Sequence, residues 1–102
     1  MYEEEKYIAF ASEESNIILG KCDQNALNFQ RKFGGKIYIG SAIYVDENNL
    51  HQRRTVHIWN EIAGNLIDIY CYKREKKGFY CDHQPEAEIT EETLKMNNPK
   101  LV

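Results

Sequence analysis

Residues 55–70 read TVHIWNEIAGNLIDIY, and apolar and polar side chains alternate on both sides of Ala63 and Gly64. Alternation of this kind predicts two β-strands, and a glycine between them tolerates the positive φ that a tight turn demands. If Ala63 and Gly64 are the two loop residues, Ile62 faces Asn65 across the hairpin. The stretch therefore predicts a β-hairpin around which the rest of the chain folds.

Four chemically distinctive residues fall on one face of this hairpin. In the register above Trp59 pairs with Asp68 and His57 pairs with Tyr70, and side chains two apart along a strand share a face. His57 and Asp68 become diagonal neighbours within reach of a side-chain hydrogen bond. A one-residue slip of the register would give Asp68 a different neighbour. The pattern thus predicts an imidazole oriented by a carboxylate.

Composition limits the class of protein. A chain of 102 residues with 42% hydrophobic and 12% aromatic residues is typical of one folded domain, predicted to span residues 1–102. The formal charge of −3 gives no general reason to expect nucleic-acid binding. An odd number of cysteines, three, favours a reducing compartment. No apolar run has the length of a signal or membrane-spanning segment, so a cytoplasmic protein is predicted.

The main helix is predicted over residues 22–33. Four residues recur at helical spacing along one stripe: Cys22, Ala26, Phe29 and Phe33. Asp23 suits the first turn by charge, and Gly34 follows the last turn as helix-ending glycines do. Cys22 is therefore expected at the helix N-terminus, where the helix dipole favours a thiolate.

The remaining segments complete an α+β architecture. Residues 36–46 alternate as a strand, in which small Gly40 and Ala42 would let a helix approach closely. Residues 70–74 are predicted to continue the second arm of the hairpin. Residues 79–82 are predicted as a last strand that Pro85 ends.

A short helix is predicted from near Thr90, in a sequence close to a capping box, through about Met96. Residues 7–11 fit either a strand or a helix. The expected fold is α+β, with one main helix (about 22–33) packed on an antiparallel meander of about four strands and a short C-terminal helix.

One face of the predicted sheet needs a cover. The side opposite His57 carries four apolar residues: Val56, Ile58, Ile67 and Ile69. The main helix cannot cover both faces of the sheet. Either residues 7–10 and the C-terminal helix cover the second face, or a second subunit does.

Three features of the sequence resemble the transglutaminase-like branch of the papain-like superfamily. They are a cysteine at a helix start, the run from His57 to Glu61, and Gly64 followed by Asp68 one strand later. The similarity spans residues 20–70 in the order Cys, His, Asp. It implies a thiol hydrolase or acyltransferase that acts on an amide of a protein or peptide substrate, without a cofactor or metal.

The resemblance also implies a role for each matching residue. Cys22 is the nucleophile and its backbone N–H an oxyanion donor, His57 is the general base, and Asp68 fixes the tautomer. Trp59 would wall the site. Two further substrate-binding candidates are Asn16, an oxyanion donor by residue type, and Tyr70, which shares the face of His57.

Other readings stay open at this stage. Cys71 and Cys81 fit two free thiols better than a disulfide, and the spacing of Cys81 to His83 matches no recognised zinc pattern. Asn60 and Glu61 are taken as surface residues. The alternative function is a non-catalytic acidic binding or inhibitor protein that engages a protein partner or forms a homodimer through its sheet.

Overall fold

A computed structural model of the chain describes residues 4–13, 20–72 and 78–102. The helices are α1 (Glu4–Ser12), α2 (Cys22–Phe33) and α3 (Glu91–Asn97). The strands are β1 (Lys36–Asp46), β2 (Gln52–Ile62), β3 (Asn65–Ile67) and β4 (Gly78–Ile89), with a 3₁₀ helix, Ile69–Tyr72, between the last two. The predicted α+β class, the main helix and the short C-terminal helix are confirmed.

The four strands form one antiparallel sheet in the order β3-β2-β1-β4. The predicted meander is wrong because β4 pairs with β1 rather than with β3. The predicted end of the last strand is also wrong, since β4 continues through Pro85 to Ile89. A proline lacks the N–H that a central strand needs, but β4 is an edge strand and tolerates it.

Gly40 serves a strand contact rather than the helix contact predicted for it. A Cβ at this position would lie 2.1 Å from the carbonyl oxygen of Gln84 and 2.9 Å from the Cα of Pro85. The backbone of β4 therefore approaches β1 closely at this point, and only glycine leaves room for it.

The hairpin forms with the predicted turn and register, but its pairing ends earlier than predicted. Ile62 pairs with Asn65, and Ala63 and Gly64 both have positive φ, 51° and 80°. The pairing stops at Asn60 opposite Ile67. The predicted strand over residues 70–74 is wrong for its described part, because residues 69–72 form the 3₁₀ helix. Residues 73 and 74 lie outside the described part of the chain.

Helix α2 contributes to both parts of the core. Its residue Phe29 packs in one cluster with side chains of α1, β3 and the 3₁₀ helix: Tyr7, Ala11, Ile67 and Ile69. Ala26 and Leu27 pack in the other with side chains of β1, β4, α3 and the C-terminal segment: Ile37, Ile89, Leu94 and Leu101. Full burial of an aliphatic or aromatic side chain stabilises a fold by about 1.5–3 kcal/mol, so these clusters hold α2 on the sheet.

The chain's own helices pack on most of the apolar face opposite His57. Residues 7–11, which fit either a strand or a helix, belong to helix α1, which packs against buried Ile67 and Ile69. Ile58 is half-buried against the cluster around Leu27. Val56 alone of the four stays open to solvent, with 72% of its surface exposed.

The last residues are tied to α2. Thr90 caps α3 by accepting a hydrogen bond from the backbone N–H of Thr93, as the sequence predicted. The side-chain amide of Gln24 donates to the carbonyl of Val102 and accepts from its N–H, both at 2.9 Å. The start of α2 is thereby held from the C-terminal side as well as from the sheet.

Candidate active site

The imidazole of His57 and the carboxylate of Asp68 meet as the sequence predicted. Nε2 of His57 lies 2.8 Å from Oδ2 of Asp68, and the two residues are only 3% and 6% exposed. An ionised carboxylate can only accept a hydrogen bond, so the ring donates through Nε2–H. Its other nitrogen, Nδ1, is then the atom that can take up a proton.

Asp68 reaches this position by a route other than the predicted strand pairing. The predicted pairs of Trp59 with Asp68 and of His57 with Tyr70 do not form, because the ladder ends at Ile67. The chain turns at Asp68 instead, and Oδ1 of its side chain accepts the backbone N–H of Tyr70 at 3.2 Å. One carboxylate oxygen thus fixes the turn, and the other is left for His57.

A second histidine, which the sequence analysis did not place in the site, binds the same carboxylate. Nε2 of His83 lies 2.8 Å from Oδ2 of Asp68, and the His83 side chain is 8% exposed. His83 lies on β4 where Ala42 of β1 faces two residues, Asp82 and His83, instead of one. Such a bulge re-aims a side chain, and Asp82 has the positive φ of 50° that this one requires.

The signal for His83 in the sequence was weak. Local spacing showed only an Asp-His pair shortly before Pro85. The pairing of β4 with β1, which brings His83 to Asp68, joins segments about forty residues apart in the chain. A pattern read along the chain does not specify such a pairing.

The electrostatics favour a charged imidazole and a charged carboxylate. Burial would lower the pKa of His57, but hydrogen bonds to Asp68 and Cys22 and the attraction of their negative charges raise it from 6.5 to about 9. Burial would raise the pKa of Asp68, but the hydrogen bonds from His57 and His83 outweigh it and lower that pKa. Below pH 9, His57 and Asp68 therefore form an ion pair shielded from water.

Cys22 opens α2 and lines the same cavity as His57 and Asp68. The cavity has a volume of about 170 Å³. Its walls come from the start of α2, from β2, from the 3₁₀ helix with Asp68, and from β4: Gly20, Cys22, Asn25, Arg53, Thr55, Val56, His57, Ile58, Asp68, Ile69, Tyr70 and Tyr80. The structure thus brings the three predicted catalytic residues to one cavity.

Asn60 connects the strand of His57 to the helix of Cys22. The prediction that Asn60 is a surface residue is wrong, because none of its surface is exposed. Its Nδ2 donates to the carbonyl oxygen of Ala26 at 3.0 Å, one turn after Cys22. Within the described residues its Oδ1 has no hydrogen-bond partner. This contact fixes the first turns of α2 against β2.

Aromatic rings surround the imidazole of His57. The ring of Tyr80 lies parallel to it, with centroids 3.7 Å apart and planes 9° apart. Trp59, predicted to wall the site, is 3% exposed and contacts the rings of His57 and His83, but it is not among the described residues that line the cavity. Tyr70 is half-buried and lines the cavity. Asn16 lies outside the described residues.

The two other cysteines lie apart from this cavity. In the described part of the chain Cys71 and Cys81 are half-buried and form no disulfide, in agreement with the preferred interpretation of the sequence. Neither is among the described residues that line the cavity.

Comparisons with protein-family models, with curated proteins and with solved structures found no match to this chain. The transglutaminase-like resemblance therefore stays a prediction from residues 20–70. Within the described residues, no helix is both long enough and apolar enough to cross a membrane.

Proposed function

We propose that the chain is a thiol-dependent hydrolase or acyltransferase that acts on an amide of a protein or peptide substrate. Cys22 is the nucleophile, His57 the proton acceptor and donor, and Asp68 the residue that orients His57. The observation that carries the proposal is the hydrogen bond from Nε2 of His57 to Asp68 in a cavity that Cys22 lines. Because Nε2 donates to Asp68, Nδ1 is the ring nitrogen that can exchange a proton with the Cys22 thiol.

The chemistry proceeds in two balanced steps. In the resting site Nδ1 of His57 already holds the Cys22 proton, so the ring is an imidazolium beside a thiolate, and the thiolate sulfur attacks the carbonyl carbon. The C–N bond then breaks, and the proton passes from Nδ1 to the leaving amine, which leaves a thioester on Cys22. In the second step a water or an acceptor amine gives its proton to Nδ1 and attacks the thioester, and the sulfur leaves as a thiolate, which restores the starting ion pair with His57.

Three features of the site support this chemistry. The buried Asp68 carboxylate attracts the imidazolium that forms when the thiol loses its proton. Tyr80 stacks flat on the ring and restricts its rotation. The backbone N–H of Gln24 donates to Oδ1 of Asp23, but the residue before α2, Lys21, provides no side-chain cap that would compete for the earlier N–H groups facing a developing oxyanion.

Acylation by p-nitrophenyl acetate tests the proposal without knowledge of the natural substrate. We expect a burst of nitrophenolate close to one equivalent of protein, with the acetyl group on Cys22 by peptide mass spectrometry. The variant Cys22→Ala should lose the burst, and Cys81→Ala, the matched control, should keep it. A folded protein that is not acylated at Cys22 would contradict the proposal and favour the non-catalytic binding protein.

A further inference from the structure

His83 has no part in the proposed reaction, yet it is buried against the carboxylate at the centre of the site. Three potential metal ligands meet here: Nε2 of His57, Nε2 of His83 and a carboxylate oxygen of Asp68. All three atoms lie within 4.8 Å of one another. Each is supplied by a different element, β2, the turn after β3, and β4.

We propose that His57, Asp68 and His83 form a binding site for a divalent transition metal of the Zn²⁺ type. Two imidazole nitrogens and one carboxylate oxygen are a donor set that such ions take. Bonds of about 2.0 Å around a tetrahedral ion place neighbouring ligand atoms about 3.3 Å apart. The present separations of 2.8 Å from Asp68 to each ring require only a small outward movement.

The surroundings suit an ion with one open coordination position. His57 and Asp68 line the cavity, so a water or ligand in it can complete the coordination. The turn at Tyr70 holds the second oxygen of Asp68, and the rings of Trp59 and Tyr80 pack against the two imidazoles. Local spacing predicted no metal because the ligands come from separate segments of the chain.

Metal binding would change the proton positions on both rings. A coordinated Nε2 carries no proton, so a neutral ring must keep its proton on Nδ1 instead. A neutral ring releases no proton when it binds the metal, whereas an imidazolium releases one. In the proposed reaction Nδ1 of His57 accepts the thiol proton, so the metal-bound form would be inhibited. The binding itself does not depend on the proposed function.

Titration of the chelator-treated protein with Zn²⁺ alone, against a chromophoric competitor, tests the site. We expect one equivalent to bind, and His83→Ala and His83→Gln to weaken binding at least tenfold. Gln keeps an N–H donor for Asp68 without offering an imidazole, so it separates lost coordination from lost folding. His51→Ala, which removes an exposed histidine elsewhere, is the control and should bind within about threefold of the parent.

Two results would overturn the site: no binding to the parent protein, or undiminished binding to both His83 variants. Far-UV circular dichroism should show that each variant is folded. Acylation of Cys22 in metal-free protein is a separate readout, so failure of the metal site and failure of the proposed function can be told apart.

Discussion

At the scale of single residues, Asp68 makes the contacts that define the site. Its carboxylate accepts hydrogen bonds from two imidazoles and from the backbone N–H of Tyr70. A buried carboxylate is unfavourable unless such bonds replace those it makes in water. Asp68 therefore depends on both histidines, and His57 depends on Asp68 for its charge.

Removal of the negative charge of Asp68 should change the pKa of His57. In Asp68→Asn the carboxamide cannot attract an imidazolium, so the pKa of His57 should fall from about 9 by about one unit or more. NMR of the ring protons across a pH series measures this. Asp82→Asn, which removes an exposed carboxylate paired with Arg54, is the control and should leave the pKa unchanged. An unchanged value in Asp68→Asn would contradict the assigned cause.

The raised pKa of His57 in the parent protein also makes the stability of the fold depend on pH. Because folding raises the pKa of His57 from 6.5 to about 9, its stabilising effect is complete below pH 6.5 and is lost between pH 6.5 and 9. A shift of this size corresponds to about 3 kcal/mol. Urea denaturation at several pH values should show this decrease in the parent protein and a smaller one in His57→Gln. Equal decreases in both would contradict the prediction.

At the scale of elements, β4 and α2 bring their residues to the site by contacts outside it. β4 lies close against Gly40 and carries the bulge that directs His83 to Asp68. α2 is fixed to β2 by the buried hydrogen bond of Asn60. Changes at either contact should alter the site without touching its reactive atoms.

Gly40→Ala tests the contact of β1 with β4. The added Cβ would overlap the backbone of Gln84 and Pro85, so the free energy of unfolding should fall by about 1–3 kcal/mol and the NMR signals of His83 should shift. Gly34→Ala is the control, because its φ of 81° is strained for alanine but nothing lies within 4 Å of the new Cβ. It should leave His83 unaffected. A Gly40→Ala protein with parental His83 signals would contradict this role.

Asn60→Ala tests the contact of β2 with α2. Removal of the side chain leaves the carbonyl of Ala26 without this buried donor, which should cost about 1–3 kcal/mol of unfolding free energy. Acylation of Cys22 should slow because its helix is less firmly placed. Asn65→Ala, at an exposed position beside the turn, is the matched control. Parental stability and acylation in Asn60→Ala would contradict the prediction.

At the scale of the whole molecule, the sequence specified what depends on local pattern. The alternation around Gly64 and the stripe from Cys22 to Phe33 were sufficient for the hairpin turn and the main helix. The contact of His57 with Asp68 was predicted too, but it forms through the turn at Asp68 and not through the predicted strand pairing. Local pattern did not show that β4 pairs with β1, because both edges of a sheet accept a strand of similar alternation. The position of His83 follows from that pairing, whereas Asn60 is buried where α2 packs on β2.

The rate at which iodoacetamide alkylates each cysteine at neutral pH tests the proposed function most directly. If His57 and Asp68 activate Cys22, peptide mass spectrometry should show Cys22 modified well before Cys71 and Cys81. In His57→Gln that advantage should disappear. Alkylation of Cys22 at the same rate as the other two thiols, or more slowly, would contradict an activated thiolate.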